Sequence, residues 1–201
     1  MPAIRGPRNK LSRREGVDLF GNGGESLQRR LAKKPGQTSS QRPPRQESEY
    51  NRQLREKQKV KRMYGMRESQ FARFFDMAAN KKGVTGVELL KLLERRLDNV
   101  VYRLGFTRTR LQSRQIVVHG QVLVNGQKVD RPSFLVSPGM VITLSPVARK
   151  IPSVAELLET NIPTPTWLER GDGSGRILRE PERNEIDAHI NESAIVEFYS
   201  R

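Results

Sequence analysis

The chain contains no cysteine, only two histidines and few aromatic residues. The lack of cysteine excludes disulfides and thiolate metal ligands, and His119 and His189 lie too far apart in sequence to indicate a metal centre. Phe, Trp and Tyr together make up 6% of the residues, which argues against a protein that binds single strands mainly by base stacking. We expect no metal and no cofactor.

Long apolar segments are also missing. No run approaches the roughly 20 apolar residues that span a membrane, and the first residues lack the apolar segment of a secretory signal. The sequence therefore predicts a cytoplasmic protein, or one in an equivalent organelle compartment, with no membrane partner.

Positive charge is abundant and unevenly distributed. The 201 residues carry a formal net charge of +15. Residues 1–82 hold 21 Lys or Arg and 8 Asp or Glu, whereas residues 151–201 hold 5 and 10. Because the basic excess is local, it indicates a binding surface for a polyanion, as in a nucleic-acid-binding protein. The length allows one or two domains.

The stretch from residue 85 to residue 144 is the most informative. Thr85 and Glu88 have the spacing of a capping box, and Gly105 has the character of a helix stop, so one helix over 85–104 is predicted. Its apolar residues fall on one arc at 100° per residue. Four polar residues lie at or just beyond the edge of that arc: Arg95, Arg96, Asn99 and Arg103. They form either a solvated rim or an RNA-binding flank.

A second helix is predicted from Thr109 to about His119, with Gly120 as its stop. Asn125-Gly126 between alternating apolar residues predicts a hairpin, and a further strand is expected over 140–144. The fold class is α+β: two basic helices on a small antiparallel sheet, preceded by a helical domain. That layout suits RNA binding and shows no catalytic centre.

The remaining segments carry weaker signals. Residues 1–46 are rich in breakers and predict a basic extension that is disordered in the free protein but can order against RNA. Helices are predicted over 48–64, over 68–79 and, briefly, over 154–159. We expect Trp167 to be a packing anchor. The glycines of 171–175 are interpreted as a turn, because the Walker lysine is missing.

Several of these stretches resemble a known RNA-binding module. Arg96–Gly105, Ser113–Gln115, His119–Gly120 and Val124–Gly126 are similar to the module named after small-subunit ribosomal protein four. That module also occurs in tyrosyl-tRNA synthetases, pseudouridine synthases and small RNA chaperones. It therefore indicates RNA without choosing among these proteins.

Other stretches resemble the family of bacterial-type small-subunit ribosomal protein four itself, and they lie at 6–20, 53–65, 163–168 and 190–201. One departure concerns zinc, because many members carry zinc-binding cysteines in the extension, where this chain has Asn9 and Ser12. The resemblance therefore implies the zinc-free form, held by RNA contacts or local packing.

The resemblance also implies an organisation and a function. The domains would be the extension (1–46), a helical rRNA-binding domain (47–84, to which 185–201 returns), the inserted module (85–150) and a connecting segment (151–184). The expected partners are the 5′ domain of 16S rRNA, ribosomal protein five, and mRNA near its entry channel. The expected role is structural, in subunit assembly and translational accuracy.

Candidate rRNA contacts follow from the charge pattern and the resemblance. They are Arg8, Lys10, Arg13, Arg14, Arg45, Arg52, Arg55, Lys59, Arg62, Arg67, Arg73, Arg95, Arg96, Arg103, Arg108, Arg110, Arg114 and His119. Changing Arg96 or Arg103 to Ala is expected to weaken RNA binding more than stability. Two alternatives use the same module: an RNA chaperone and an RNA-modifying enzyme. Asp98 is the most tempting acid for an enzyme, although a capping or arginine-pairing role fits it better.

Overall fold

The computed structural model describes residues 6–21, 23–36, 48–160, 162–187 and 189–200. The chain forms two compact units. The first comprises residues 1–75 and 189–201, and the second comprises residues 76–188. The chain thus leaves the first unit for the second and returns to it at the C-terminus.

The first unit is helical. Its elements are α1 (Arg8–Glu15), α2 (Glu25–Gln28), α3 (Glu49–Met63), the greater part of α4 (Glu68–Ala79) and α10 (Glu192–Tyr199). Ser48 caps α3, with its hydroxyl accepting from the Asn51 amide, and Gly65 follows the helix with a φ of 61°. The helices predicted over 48–64 and 68–79 are both confirmed, and Phe71 and Phe74 are buried as expected.

The C-terminal helix α10 packs against α3. Gln53 on α3 donates a hydrogen bond of 2.8 Å to Glu197, and the rings of Tyr50 and Phe198 lie 5.7 Å apart between centroids. Phe75 on α4 stacks on Tyr199 at 4.4 Å. Since α10 has buried apolar residues and stacked rings on this side, burial of apolar and aromatic area holds it in place.

The N-terminal extension is ordered where the structure describes it. Leu19, Phe20 and Leu27 are buried, and the buried Ser12 hydroxyl accepts from the Leu19 amide at 3.4 Å. The expectation of a disordered tail is therefore wrong for residues 6–21 and 23–36. The remaining residues of 1–46 lie outside the described part.

Asp18 organises the turn that follows α1. Its carboxylate accepts hydrogen bonds from the backbone amides of Phe20, Gly21 and Gly23, at 3.1, 3.2 and 2.9 Å. A Cβ added to Gly23 would lie 2.3 Å from the Leu27 side chain and 2.7 Å from an Asp18 oxygen. Local packing and one carboxylate thus hold this segment.

The second unit combines helices with a sheet. Its further helices are α5 (Thr85–Glu94), α6 (Leu97–Arg103), α7 (Arg110–Val118), α8 (Pro146–Arg149) and α9 (Pro152–Glu159), with a 3-10 helix at Arg183–Glu185. Its strands are β1 (Val122–Val124), β2 (Gln127–Lys128), β3 (Val141–Leu144), β4 (Leu168–Gly171) and β5 (Ser174–Ile177). They pair antiparallel in the order β2-β1-β3-β5-β4. Helices α6 and α7 share one apolar core with this sheet.

The single helix predicted over 85–104 is wrong, because the chain breaks between α5 and α6. The amides of Leu97 and Asp98 donate to the carbonyls of Phe134 and Pro132, at 2.8 and 3.2 Å. A distant segment therefore takes the hydrogen bonds that a continuous helix would make. The predicted Thr85 cap is also wrong, since Val84 is the N-cap and makes no side-chain hydrogen bond.

Other local predictions for this unit are confirmed. Thr109 caps α7, with its hydroxyl accepting from the Gln112 amide at 3.2 Å, and Gly120 follows that helix with a φ of 66°. Asn125 and Gly126 join β1 to β2 with φ angles of 49° and 80°. Positive φ at both positions is the requirement of a type I′ turn.

The segment after residue 150 contributes more than a connection. The predicted turn at 171–175 is present, but it joins β4 and β5, which extend the sheet by pairing β5 with β3. Helix α9 and the buried anchor Trp167 are confirmed. Gly175 on β5 leaves room for Leu104, whose side chain would lie 2.5 Å from an added Cβ. The helix layer and the sheet therefore meet closely there.

Candidate nucleic-acid interface

Five of the predicted basic residues in the first unit are exposed and have no carboxylate partner among the described residues. They are Arg8, Lys10, Arg14, Arg67 and Arg73. The first three lie on α1, Arg67 precedes α4 and Arg73 lies on its exposed side. Such cations can approach phosphates without first giving up an ion pair.

The predicted basic residues of α3 are bound to carboxylates. Arg52 pairs with Glu49 at 3.0 Å at the surface. Lys59 is buried and donates both to Glu56, at 2.7 Å, and to the His189 carbonyl, at 2.8 Å. Lys59 therefore fastens the returning C-terminal segment to α3.

Glu15 is the acidic centre of this region. Its side chain is 1% exposed, and one oxygen accepts from Arg62 and, at 3.4 Å, from Arg55. Burial raises the pKa of Glu15, against the opposing effect of the surrounding cations. Burial likewise lowers the pKa of Arg62, in spite of the neighbouring Glu15. Arg55 and Arg62 are thus anchored from α1.

Arg13 is the remaining predicted residue of this unit that the structure describes. The Arg13 Nε donates to the Lys33 carbonyl at 3.0 Å, so this side chain holds the segment after α2 against α1. Arg45 lies outside the described residues.

In the second unit, Arg96 is fully buried. Its Nε and Nη2 donate to the two oxygens of Asp98 at 3.0 and 2.6 Å, and Arg114 donates to the same carboxylate at 3.1 Å. Arg96 has 0% exposure, so no phosphate reaches it in this fold, and its contact with RNA stays a prediction. Asp98 pairs with arginines, which matches its expected role.

A second cluster joins Arg103 and Arg110. Arg103 forms a two-pronged contact of 2.9 Å per bond with the buried Glu94. Arg110 donates to Asn99 at 2.8 Å. Both arginines also approach Asp187, at 3.4 and 3.3 Å. The basic flank predicted from helical periodicity is therefore largely an internal ion-pair network.

The other predicted residues of this unit divide between structural and surface positions. Arg95 donates to the Val136 carbonyl at 2.8 Å and pairs with Glu180 at 2.5 Å, which ties the segment after α5 into the fold. Arg108 is exposed and pairs with the exposed Glu156. His119 is exposed beside three glutamines, in a small cleft of about 150 Å³.

Sequence reasoning missed a cleft in the first unit. Segment 31–34 joins α1 and α3 in lining it, and Lys34 was not among the predicted residues. No local pattern links that segment to α1, because the hydrogen bond between Arg13 and the Lys33 carbonyl joins residues 20 positions apart. Exposed basic residues of the second unit were missed as well: Lys82, Lys128, Arg131, Lys150 and Arg176.

In the described ranges no group of three or more acidic or histidine side chains could hold a metal ion. Nor, in that part of the chain, is any helix long and apolar enough to cross a bilayer.

The helical basic unit and the helix-on-sheet module define the class as a basic RNA-binding protein. Residues 3–94 match the family model described as the ribosomal protein S4/S9 N-terminal domain. Residues 95–142 match that of the S4 domain. The second match begins at Arg95, where α5 gives way to α6.

Full-length relatives agree with both matches. The chain is 49% identical over 211 residues to small ribosomal subunit protein uS4 of Herpetosiphon aurantiacus, with 100% of each chain covered. It is 48% identical to uS4 of Verminephrobacter eiseniae over 214 residues and 47% identical to uS4 of Lysinibacillus sphaericus over 203 residues, again with 100% of each chain covered. The chain belongs to the uS4 family, which confirms the resemblance found in the sequence.

Proposed function

We propose that this protein is a structural constituent of the small ribosomal subunit and that it binds the 5′ domain of 16S rRNA. The observation that carries the proposal is the identity of 47–49% to proteins named small ribosomal subunit protein uS4, over the whole chain. A localised positive surface supports it, because phosphate neutralisation dominates the affinity of proteins for RNA. On the same basis we propose a role in subunit assembly and in translational accuracy, with ribosomal protein five and incoming mRNA as further partners.

The proposed contacts are weighted toward the first unit. Exposed cations without carboxylate partners in the described part of the chain are placed first: Arg8, Lys10, Arg14, Arg67 and Arg73. We add the basic residues that lie on α1 and α3 beside these cations: Arg13, Arg52, Arg55, Lys59 and Arg62. Arg108 and His119 are the proposed surface contacts of the second unit.

The internal arginines of the second unit have a different proposed role. They are bound to other parts of the same unit: Arg95 to the Val136 carbonyl, Arg103 to Glu94 and Asp187, Arg110 to Asn99, and Arg114 to Asp98. They would act by fixing the shape that a folded RNA meets. Recognition by shape is the usual mode for structured RNA.

The test is binding to the isolated 5′ domain of 16S rRNA and to a duplex RNA of equal length, across a salt series. A strong preference for the folded domain that persists at high salt is expected. Equal affinity for both RNAs, with the same steep salt slope, would overturn the proposal in favour of a general polyanion binder such as an RNA chaperone. Arg67→Gln with Arg73→Gln should reduce the slope by about one per lost phosphate contact.

A further inference from the structure

A cleft of about 260 Å³ opens in the first unit, between α1, the segment after α2 and the middle of α3. Its walls are mostly basic, and the cations that line it are Arg13, Arg14, Lys34, Arg52, Arg55 and Lys59. Two carboxylates, those of Glu15 and Glu56, also line it. Gly16, Leu31 and Ala32 complete the wall, with no aromatic side chain among the described lining residues.

The walls of this cleft are fixed by hydrogen bonds. Arg13 holds the segment after α2 through the Lys33 carbonyl at 3.0 Å. Lys59 is held between Glu56 and the His189 carbonyl. Arg55 is held by Glu15 at 3.4 Å. A cleft with fixed walls loses little conformational entropy when it takes a ligand.

Negative charge in the cleft falls short of the positive charge. Six cations line the cleft against two carboxylates, and Glu15 and Glu56 are already paired with Arg55 and Lys59. Arg14 has no carboxylate partner among the described residues, and it is exposed. Arg55 is bound to Glu15 but keeps 28% of its side chain exposed. An exposed arginine without an ion pair, beside a second arginine that is partly exposed, favours an anion in this cleft.

The shape and chemistry of the lining narrow the class of anion. Guanidinium groups bind phosphate through two parallel hydrogen bonds, which gives geometry as well as charge. Because no aromatic ring lines the described walls, a nucleobase would find no surface for stacking. The cleft therefore suits a single oxyanion better than a nucleoside.

We propose that this cleft binds one phosphate group and that, in the RNA complex, the group is a phosphodiester protruding from the folded backbone. Arg14 and Arg52 supply the outer donors, while Glu15 positions Arg55 at the base of the cleft. This inference rests on the proposed function for the source of the phosphate. It adds a defined pocket to what would otherwise be a diffuse positive surface. Inorganic phosphate presents the same chemistry and provides the probe.

The first arm of the test titrates inorganic phosphate into the full chain at constant ionic strength and follows the heat of binding. The wild type should saturate at one phosphate per chain, and Arg14→Gln with Arg52→Gln should bind at least about tenfold more weakly, since charge-assisted hydrogen bonds are lost. The control, Arg29→Gln with Arg30→Gln, removes two exposed charges outside the cleft and should match the wild type. Absence of saturable binding by the wild type would overturn the proposal.

The second arm measures affinity for the 5′ domain of 16S rRNA. The cleft variant should lose at least about tenfold more affinity than the charge-matched control, and lysine at both positions should restore part of it. Equal losses in the two variants would overturn the phosphodiester assignment, even if inorganic phosphate binds. Failure of the proposed function would give a different result, because the wild type itself would then show no preference for the folded 5′ domain over duplex RNA. Arg14 and Arg52 are exposed, and circular dichroism will verify that both variants remain folded.

Discussion

Arg96 and Asp98 form a two-pronged ion pair inside the second unit, with Nε–Oδ1 and Nη2–Oδ2 distances of 3.0 and 2.6 Å. Arg96 is the N-terminal cap residue of α6, and the carboxylate of Asp98 lies in the first turn of that helix. Arg114 from α7 donates to the same carboxylate at 3.1 Å. The pair thus joins the start of α6 to α7, at the break that separates α6 from α5.

Replacing Arg96 with Ala should destabilise the second unit by about 3–5 kcal/mol, because Asp98 would keep a buried charge with only Arg114 as partner. Urea unfolding followed by the fluorescence of Trp167 will measure this, since that residue lies in the core of the same unit. Arg131→Ala, at an exposed position, is the control and should stay within about 0.5 kcal/mol. A weaker RNA complex with unchanged unfolding would restore the original interpretation of Arg96 as an RNA contact.

The sequence predicted those parts of the fold that have local signals. Ser48 and Thr109 cap their helices, and Asn125-Gly126 forms its hairpin, because each feature depends on residues within a few positions. The break between α5 and α6 could not be predicted in this way. Its cause is the distant segment at 132–134, which accepts the hydrogen bonds of Leu97 and Asp98.

The candidate site was predictable in composition and much less so in geometry. The excess of positive charge in residues 1–82 is evident from the sequence, as is the basic flank of α6. The acids that neutralise this flank are harder to find: Glu94 lies on another helix and Asp187 lies 84 positions beyond Arg103. Periodicity assigns a residue to a face, but distant partners decide whether its charge is available.

Replacing Asp187 with Asn should strengthen RNA binding by about two- to fivefold, comparable to the strength of a partly exposed ion pair. Asp187 approaches Arg103 and Arg110 at 3.4 and 3.3 Å and is itself only partly buried. Removing the negative charge of Asp187 raises the positive potential around both arginines. Filter binding to the 5′ domain will measure the change. Asp130→Asn, an exposed acid of the same unit, is the control, and an equal gain there would attribute the effect to net charge alone.

Replacing Asp18 with Ala should open the turn that follows α1. Three backbone amides would lose their acceptor, at a cost of about 1–3 kcal/mol for each one that remains buried. Hydrogen exchange at Gly23 should accelerate, and the buried Leu19 and Phe20 should become accessible to proteolysis. Asp18→Asn keeps one carbonyl oxygen and should retain part of the protection. Unchanged exchange at Gly23 in the alanine variant would mean that packing alone holds this turn.

Glu68 should make the stability of the first unit depend on pH in the acidic range. Burial acts to raise the pKa of Glu68, but hydrogen bonds from Lys57 and Lys61, both at 2.6 Å, outweigh it and lower this pKa from 4.5. Lys57 also lies over the Phe198 ring, 4.3 Å from its centroid, so the ion pair of Lys57 and Glu68 links α3, α4 and α10. A carboxylate with a lowered pKa binds its proton less readily in the folded state. Its contribution is therefore present above pH 4.5 and is lost as pH falls through the folded pKa.

Glu68→Gln should remove this dependence, so that the stability of the first unit falls less steeply below pH 4.5 than in the wild type. At neutral pH the variant should be the less stable of the two, because Lys57 is buried and loses its anionic partner. Hydrogen exchange of the α3 and α10 amides from pH 3 to pH 7 measures both effects. Glu169→Gln makes the same charge change in the second unit and should leave these amides unaltered. Parallel pH profiles for Glu68→Gln and the wild type would show that the lysines contribute no acid-dependent stability through this residue.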